Sequence, residues 1–435
     1  MRLPRNLLIA SAALAVVVAG VLGCGSSSSS SSNSATPGFE TTVVIGDSLS
    51  AGFQNGSLLD SQQPNGWASL IARQAGFSLA LPLIATPGAP SVLQLVSLGP
   101  PPILEQASGT SMGRDNPLAQ PYDLAVPGHT LNDLINTTPV LVPATGEDLL
   151  TNAVLALPLS VPRSQLQAAI FLKPTVLFLW IGNNDALNAA FAGTPAVMTP
   201  VSAFTQEYQQ LIAALHSQTK AKLIIANIPD VTLVPYLTPA ALIIGEVSAA
   251  SRLPPAVVSA LLGIQPGDLV NATGLGEVEA AIAALEQGQR PTPLTDDGFL
   301  DAAEIAQVQS TVNQYNAVIA QQITAARDIP VDIHTYLGGL AQNGITINGY
   351  PATTGFLGGL FSLDGIHPTN TGYALIANQY IQAINAGMNT KIAPVDVSSI
   401  ASTDPLFGPN IKPIGAVASI PLVAARQADK LISGR

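Results

Sequence analysis

The sequence predicts an α/β protein in which a mostly parallel sheet carries helices on both faces. Short runs of β-branched and apolar residues alternate along the chain with segments of helical periodicity, which is typical of repeated β–α units. The strongest run, 175–181, is apolar almost throughout, as expected for a strand that is buried on both faces. The remaining predicted strands cover 41–45, 122–126, 223–226 and 331–333.

Two helices are predicted from the spacing of their apolar side chains. Large apolar residues recur every three or four positions over 204–215 and over 305–323. Asp301 is followed three residues later by Glu304, which is typical of a capping box at the start of the second helix. Two longer stretches, 77–120 and 236–299, exceed the usual length of a connection, and we interpret them as insertions near one end of the sheet.

Composition excludes several classes of protein. The 435 residues include 16 Lys plus Arg and 27 Asp plus Glu, a formal net charge of −11, and 47% of residues are apolar. We expect no nucleic-acid partner, because binding to phosphates requires clustered cations. The apolar content excludes wholesale disorder. A single cysteine permits neither an intrachain disulfide nor a zinc site of the cysteine type.

The N-terminus has the features of an export signal. Arg2 and Arg5 precede an apolar run over 7–22, which is shorter than the roughly 20 residues of a spanning helix. The run ends close to Cys24 in a sequence that resembles a bacterial lipobox. The resemblance implies a lipoprotein signal peptide over 1–23 and lipid attachment to the Cys24 thiol. The alternative is an ordinary secretory signal with an incidental cysteine.

The serine-rich segment 24–38 is expected to act as a flexible tether. It buries no apolar side chain, and a coil of this length reaches roughly 20 Å. We expect the folded domain to cover 39–390 and leave the placement of the tail, 391–435, open. The predicted location is the cell envelope, where lipid at Cys24 would anchor the protein to a membrane. The sequence does not decide between attachment to the outer membrane and release from the cell.

A serine flanked by glycines follows the first predicted strand. The sequence GDSLSAG, residues 46–52, is expected to form a tight turn that exposes the hydroxyl of Ser48 beside the N-terminus of a following helix. Ligands of open α/β sheets bind outside the carboxyl ends of the strands. Ser48 is therefore a candidate nucleophile.

Three further segments contain the other groups that acyl transfer requires. Asp364 lies three residues before His367, so its carboxylate can hold the imidazole tautomer that leaves the second nitrogen free as a base. Gly128 and Asn184 follow two other predicted strands and can donate N–H groups at the same sheet edge as Ser48. Together these residues supply a nucleophile, a base, an orienting acid and an oxyanion hole.

These four blocks, GDSLSAG, AVPG, GNND and DGIHPT, resemble in order those of the GDSL, or SGNH, hydrolase family. The similarity extends from residue 41 to about residue 386. It implies a three-layer α/β/α sandwich around a five-stranded, parallel, flavodoxin-like sheet with helical and loop insertions. It also implies a serine carboxylic ester hydrolase, of the esterase or lipase type, that uses neither a metal nor an organic cofactor.

The resemblance also assigns roles by position. It makes Ser48 the nucleophile, His367 the base and Asp364 the orienting acid of a triad that works through an acyl-enzyme. It places the oxyanion hole at the Ser48 amide, Gly128 and Asn184.

The expected substrate is an ester with an apolar acyl chain, because the two insertions are rich in aliphatic residues that can line a pocket at the active end. The alternative for the insertions is that they form only a small additional core. The alternatives for function are a carbohydrate O-deacetylase, an acyltransferase of the same family, and a non-catalytic surface binding protein on this scaffold.

His129 departs from the family pattern, which often has a small residue after the block-two glycine. With Asp133 four residues later it suggests a metal pair, although we prefer a polar residue at the pocket rim or helix start.

Structural roles are predicted for the remaining candidates. Asp47 and Asp185 are expected to form hydrogen bonds to the loops around the site. His216 and His334 are expected to contact solvent or a helix terminus. Trp67 and Trp180 are expected to pack in the core.

The lipobox resemblance generates a first prediction. The mature protein should begin at a lipid-modified Cys24 and partition into the membrane fraction, because a lipidated N-terminus inserts its acyl chains into the bilayer. Mass spectrometry of the mature N-terminus checks this prediction. Cleavage at another position, or an unmodified thiol, would show that the segment is an ordinary secretory signal.

Overall fold

The computed structural model describes residues 36–98, 102–109, 113–157 and 160–411, together with residues 421, 424, 426 and 427. The predicted signal peptide, Cys24 and nearly all of the predicted tether lie outside the described residues.

The strands of the described part of the chain are β1 (Thr42–Gly46), β2 (Leu93–Ser97), β3 (Ile103–Gln106), β4 (Val176–Trp180), β5 (Lys222–Ala226), β6 (Thr238–Pro239), β7 (Leu269–Val270), β8 (Phe299–Leu300), β9 (Ile329–Val331), β10 (Ile345–Ile347) and β11 (Tyr350–Ala352). The helices are α1 (Trp67–Ala75), α2 (Leu131–Asn136), α3 (Gly146–Leu155), α4 (Gln165–Leu172), α5 (Asn183–Ala192), α6 (Val201–Gln218), α7 (Ala240–Ser251), α8 (Pro255–Leu262), α9 (Ala272–Glu286), α10 (Ala302–Ala326), α11 (Ile333–Asn343), α12 (Asn370–Met388) and α13 (Val397–Thr403).

The central sheet has the strand order β1-β4-β5-β9, and every pairing within it is parallel. All five residues of β4 are buried, as predicted for a strand covered on both faces. Because successive side chains of a strand point to opposite faces, Leu177 and Leu179 enter one core while Phe178 and Trp180 enter the other. The sheet therefore separates two apolar layers.

The predicted fifth strand, 122–126, lies beside β1 but forms only a single parallel bridge. Continuing the ladder would require the Gly46 N–H to donate to the Leu124 carbonyl. That N–H instead donates to Oε1 of Gln165 at 2.9 Å. The prediction of five regular strands is therefore wrong by one. The segment 122–126 nevertheless lies at the sheet edge beside β1, where a flavodoxin-like order has its second strand. Three main-chain hydrogen bonds join it to β1: Val44 N to Tyr122 O at 2.9 Å, Leu124 N to Val44 O at 2.9 Å, and Val126 N to Gly46 O at 3.1 Å.

Helices cover both faces and complete the three-layer α/β/α sandwich. α1 and α12 pack on the face that carries Phe178 and Trp180, where Trp67 stacks on Tyr380 with ring centroids 4.0 Å apart. Both tryptophans are fully buried, as predicted. α4, α6 and α10 cover the opposite face.

The helix predictions are confirmed at both long helices. α6 and α10 contain the predicted periodic segments, and Asp301 and Glu304 form the capping box at the start of α10. The last predicted strand ends earlier than expected, at Val331, because the Asp332 side chain accepts a hydrogen bond from the Thr335 amide and begins α11.

The two insertions bury their own apolar residues. The first, 77–120, contains the antiparallel pair β2-β3, and the second, 236–299, contains α7, α8 and α9 with the small sheet β6-β7-β8. Their aliphatic side chains extend the core on one side of the sheet, as Ile84, Leu93, Leu104, Ile243, Ile244, Val247, Val258 and Leu262 show.

The described part of the tail packs on the domain. α13 follows the segment 391–396, and the Asp404 carboxylate accepts two 2.7 Å hydrogen bonds from the amide and hydroxyl of Thr371 in the first turn of α12. Residues 391–411 therefore belong to the folded unit.

Within the described ranges, no single helix has both the length and the apolar character required to cross a membrane. α7 and α8 meet the criterion only when taken together, and they are bent by 113° relative to each other.

Candidate active site

Ser48 lies two residues after the end of β1, in a turn whose residues 50 and 51 donate main-chain hydrogen bonds to the Asp47 carbonyl. Gly46 precedes this turn, and a Cβ at that position would collide with a β4 carbonyl oxygen. Only glycine therefore allows the end of β1 to approach β4 this closely.

One local expectation about Ser48 is wrong. The sequence predicted a helix directly after the turn, but the first α-helix to follow, α1, begins only at Trp67. The left-handed backbone of Gly52, with φ of 72°, breaks the helical path, and further turns occupy the intervening segment. No α-helix therefore begins directly after the Ser48 turn, so the expected helix dipole at Ser48 is not provided by this segment.

Asp364 and His367 form a buried pair before α12. The Asp364 Oδ2 atom lies 3.0 Å from Nδ1 of His367 and accepts a 2.6 Å hydrogen bond from the Gly56 amide. Its Oδ1 atom accepts from the amides of Ile366 and His367, both at 2.9 Å. Burial alone would raise the pKa of Asp364, but the charge of His367 and these hydrogen bonds hold that pKa below its usual value.

The second imidazole nitrogen of His367 is buried without a partner. Among the described residues, Nε2 has no hydrogen-bond partner, although the Phe53 ring packs against the imidazole at 4.6 Å between centroids. No hydrogen bond therefore joins it to Ser48. Catalytic hydrogen bonds in free enzymes are often long and tighten only when substrate binds.

Asn184 is hydrogen-bonded to the main chain of His129, the residue that follows Gly128. Asn184 is the second residue of α5, and its Nδ2 atom donates to the His129 carbonyl at 2.9 Å. An amide nitrogen carries two protons, so one remains for another acceptor. Gly128 directly precedes His129 and has φ of 86°, in the left-handed region that favours glycine.

Asp47 and Asp185 connect the loops around the site, as predicted. Asp47 accepts a 2.7 Å hydrogen bond from Nδ2 of Asn183, which ties the end of β1 to the start of α5. Asp185 accepts from the Leu131 amide at 2.8 Å and from the Thr199 hydroxyl at 2.7 Å. Burial raises the pKa of Asp47 to about 7 and that of Asp185 to about 6.

His129 belongs to a buried polar network that the sequence did not reveal. Its Nδ1 lies 3.1 Å from the Gln165 amide nitrogen, and its Nε2 lies 2.8 Å from the Thr151 hydroxyl. The same Gln165 nitrogen donates to the Gly46 carbonyl at 2.9 Å. Burial lowers the pKa of His129 to about 4, with the charge of Asp133 opposing the shift, so the imidazole is neutral at pH 7.

These contacts correct the two interpretations of His129. It precedes the first residues of α2 as expected, but it is fully buried and does not lie at a pocket rim. Both ring nitrogens have protein partners, and the Asp133 carboxylate closes the capping box with Thr130. The described ranges contain no group of three or more metal-ligating side chains.

A turn at Asn55 and Gly56, which was not predicted, holds the Asp364 segment. The Asn55 side chain accepts from the Leu363 amide at 3.0 Å, the Asn55 amide donates to the Ser362 hydroxyl at 2.9 Å, and Gly56 donates to Asp364. The Asn-Gly dipeptide predicts a tight turn, but nothing local indicates its partner. Gln165 carries no recognisable sequence signal.

His216 and His334 lie outside the candidate site. His216, in the last turn of α6, pairs with Asp328 at 2.9 Å. Nδ1 of His334 lies 2.9 Å from the Ile228 carbonyl. These partners differ from the solvent or helix-terminus contacts that the sequence predicted, because both histidines contact groups on other segments of the chain.

An apolar cavity of about 50 Å³ is lined by chain neighbours of the candidate residues, but by none of Ser48, Gly128, Asn184, Asp364 and His367. Its wall includes Leu49, which follows Ser48, and Asn183, which precedes Asn184. It also includes Ile366 and Pro368, on either side of His367. α11 and α12 complete it with Leu337, Ala341 and Ile376. Neither insertion contributes a wall residue, so the expectation that insertion side chains line the pocket is wrong for this cavity.

The model of the GDSL-like lipase/acylhydrolase family matches residues 42–380, from the first residue of β1 into α12. This match over more than half of the chain identifies the protein as a carboxylic ester hydrolase. It belongs to the GDSL-like lipase/acylhydrolase family. A comparison with curated proteins finds no match.

The buried, neutral His129 generates a prediction about stability. The folded protein keeps His129 neutral to about pH 4, whereas the unfolded chain protonates it below about pH 6.5. Its contribution to the free energy of unfolding is therefore complete above about pH 6.5 and declines as the pH falls toward 4. Between pH 7 and pH 5 the wild type should lose about 2 kcal/mol relative to His129→Gln.

Urea unfolding of both proteins at the two pH values measures this difference. The glutamine variant is the matched control, because it removes the titration and keeps a polar side chain. An unchanged difference between pH 7 and pH 5 would mean that folding does not shift the pKa of His129.

Proposed function

We propose that this protein hydrolyses carboxylic esters with an apolar acyl group, using Ser48 as nucleophile, His367 as base and Asp364 as orienting acid. The observation that carries the proposal is the His367 imidazole. Its Nδ1 is bonded to a buried Asp364 carboxylate, and its Nε2 is left without a partner. A buried, unpaired nitrogen is costly unless a ligand or reacting group uses it.

In the first half of the reaction, Nε2 of His367 accepts the Ser48 hydroxyl proton while the oxygen attacks the ester carbonyl carbon. The negative charge on the carbonyl oxygen is stabilised by the amides of Ser48 and Gly128 and by the second Nδ2 proton of Asn184. When the intermediate collapses, the imidazolium protonates the leaving alcohol and an acyl-serine remains.

In the second half, His367 removes a proton from water, which attacks the acyl-serine. The carboxylic acid leaves, and the imidazolium returns the proton to the Ser48 oxygen. Asp364 stabilises the imidazolium in both halves because its depressed pKa keeps the carboxylate ionised.

The apolar cavity supports the acyl-chain part of the proposal. Its wall contains the chain neighbours of Ser48, Asn184 and His367, and we propose that the acyl chain of the substrate binds there. Each methylene that an acyl chain buries there contributes about 0.8 kcal/mol, close to fourfold in affinity. We further propose that the enzyme is held at the cell envelope by lipid on Cys24, which rests on the lipobox resemblance alone.

Ser48→Ala should lower kcat by about 10⁴-fold or more on a model ester, because no other group replaces the nucleophile. The control is Ser61→Ala, at an exposed position, which should keep full activity. Labelling with a fluorophosphonate should reach one mole per mole in the wild type and vanish in Ser48→Ala. An unlabelled, inactive wild type would favour the non-catalytic binding protein.

Asn184→Ala should lower kcat by about 10²–10³ with little change in KM, because the donor stabilises charge that develops in the transition state. Asn188→Ala, about one turn further along α5, serves as the matched control and should leave kcat unchanged. Steady-state kinetics on one ester decide the matter. A change confined to KM would show that Asn184 binds the ground-state substrate instead.

Acyl-chain preference should follow the apolar cavity. For p-nitrophenyl acetate, butyrate and octanoate we expect kcat/KM to rise beyond acetate. Ala341→Leu, which fills the cavity, should reduce kcat/KM for octanoate about tenfold or more while leaving acetate within twofold. Gln342→Leu, the exposed neighbour on α11, is the control. A steady fall from acetate onward in the wild type would favour the deacetylase alternative.

A further inference from the structure

The segment Pro139–Pro143, between α2 and α3, exposes three aliphatic side chains in a row. Leu141 is fully exposed, Val142 is 83% exposed and Val140 is 41% exposed. Single exposed aliphatic residues are ordinary, but consecutive ones at the tip of a loop form a contiguous apolar patch. We refer to this segment as the apolar loop.

Hydrogen bonds fix the apolar loop in its exposed position. The Asn152 side chain on α3 accepts from the Val140 amide at 2.9 Å and donates to the Val140 carbonyl at 2.8 Å. The Asp148 carboxylate accepts from the Ala144 amide at 2.9 Å, which holds the other end. The main-chain groups of Val140 and the amide of Ala144 are thus hydrogen-bonded to side chains of α3. The aliphatic side chains of the apolar loop remain exposed to water.

The helix that holds the apolar loop also contacts the candidate site. Thr151, the neighbour of Asn152, hydrogen-bonds the ring of His129 at 2.8 Å. His129 in turn follows Gly128, one of the proposed oxyanion donors. Two consecutive residues of α3 therefore have different contacts: Asn152 binds the apolar loop, and Thr151 binds His129, which follows Gly128.

We propose that the apolar loop inserts into an uncharged or zwitterionic lipid surface and so holds the candidate site next to that surface. A few aliphatic side chains cover at most a few hundred Å², whereas a stable protein interface needs about 800 Å² from each partner. A lipid surface has no such requirement, because each inserted side chain gains transfer free energy on its own.

Charge selects the kind of lipid. Glu147 and Asp148 occupy the first turn of α3, beside the apolar loop, and the chain carries a net charge of −11. An anionic surface would repel this region, so the expected partner is a phosphatidylcholine-like surface without net charge.

A second membrane attachment would make this contact stable. Three aliphatic residues give only weak, reversible binding to a bilayer, and stable attachment takes two signals. The lipid proposed at Cys24 would supply the second signal and keep the apolar loop at high local concentration next to the membrane. The docking itself does not depend on the proposed function of Ser48.

The test uses the full-length protein with phosphatidylcholine vesicles and a fluorescent reporter in the loop. Leu141→Trp places the reporter at the tip, and Phe171→Trp is the matched control. Phe171 is 56% exposed in the last turn of α4, near the amino-terminal edge of the sheet, on the far side from Ser48. The native Trp67 and Trp180 are fully buried and give the same background in both variants.

Brominated phosphatidylcholine should quench the reporter at position 141 at least twofold more than the reporter at position 171. Equal quenching, or none at position 141, would overturn the proposal. Quenching only with anionic vesicles would overturn the assignment to uncharged lipid. If sedimentation shows a dimer that Leu141→Asp dissociates, with no quenching by lipid, the loop contacts a second copy of the chain instead.

Activity supplies an independent measurement. Leu141→Asp combined with Val142→Asp should reduce kcat/KM on a long-chain ester embedded in phosphatidylcholine vesicles about tenfold or more. The same variant should hydrolyse soluble p-nitrophenyl acetate within twofold of the wild type. Equal losses on both substrates would assign the loop a structural role and contradict the proposal. A wild type inactive on both substrates would refute the proposed function, while the quenching experiment would still decide the docking.

Discussion

The Gly46 peptide is the point on which the arrangement of the candidate site depends. A strand buried on both faces must have its N–H and C=O groups paired, because an unpaired buried amide costs about as much as a lost hydrogen bond. The Gly46 N–H has no strand partner, and Oε1 of Gln165 accepts its hydrogen bond at 2.9 Å. The Gly46 C=O accepts from Nε2 of Gln165 at 2.9 Å and from the Val126 amide at 3.1 Å. The neighbouring segment can therefore leave the sheet directly after Val126 and form the loop that contains Gly128.

The other groups at this edge are held in the same way, by polar side chains that satisfy buried main-chain groups. Asp185 binds the Leu131 amide, Asn184 binds the His129 carbonyl, and Asp364 binds the Gly56 amide. Each contact joins segments that are distant in sequence. Paired buried groups of this kind rigidify the structure. Nε2 of His367 has no partner among the described residues and is therefore available for chemistry.

The sequence predicted those parts of the fold that depend on local periodicity. The run 175–181 identified the buried strand β4, and the capping residue Asp301 marked the start of α10. The candidate residues were found because a serine, a glycine and an asparagine each follow a predicted strand, and parallel strands end at one edge. Whether Ser48 is the nucleophile stays a prediction.

The remaining features could not be predicted because they depend on contacts between distant segments. The side chain of Gln165 replaces a strand partner of Gly46, and the local sequence of α4 does not show this. The role of the insertions could not be predicted either, because their aliphatic residues are equally compatible with a pocket lining and with a small additional core. Only tertiary packing distinguishes the two, and it buries Ile243 and Val258 while leaving α11 and α12 to line the cavity.

The hydrogen bond between Gly56 and Asp364 has a consequence for the newly made polypeptide. The two residues are separated by 308 positions, so this hydrogen bond cannot form until most of the chain has been synthesised. Under the proposed mechanism, a nascent chain that has not yet reached Asp364 and His367 would contain Ser48 without the pair that activates it. The same would hold for a chain truncated before residue 364.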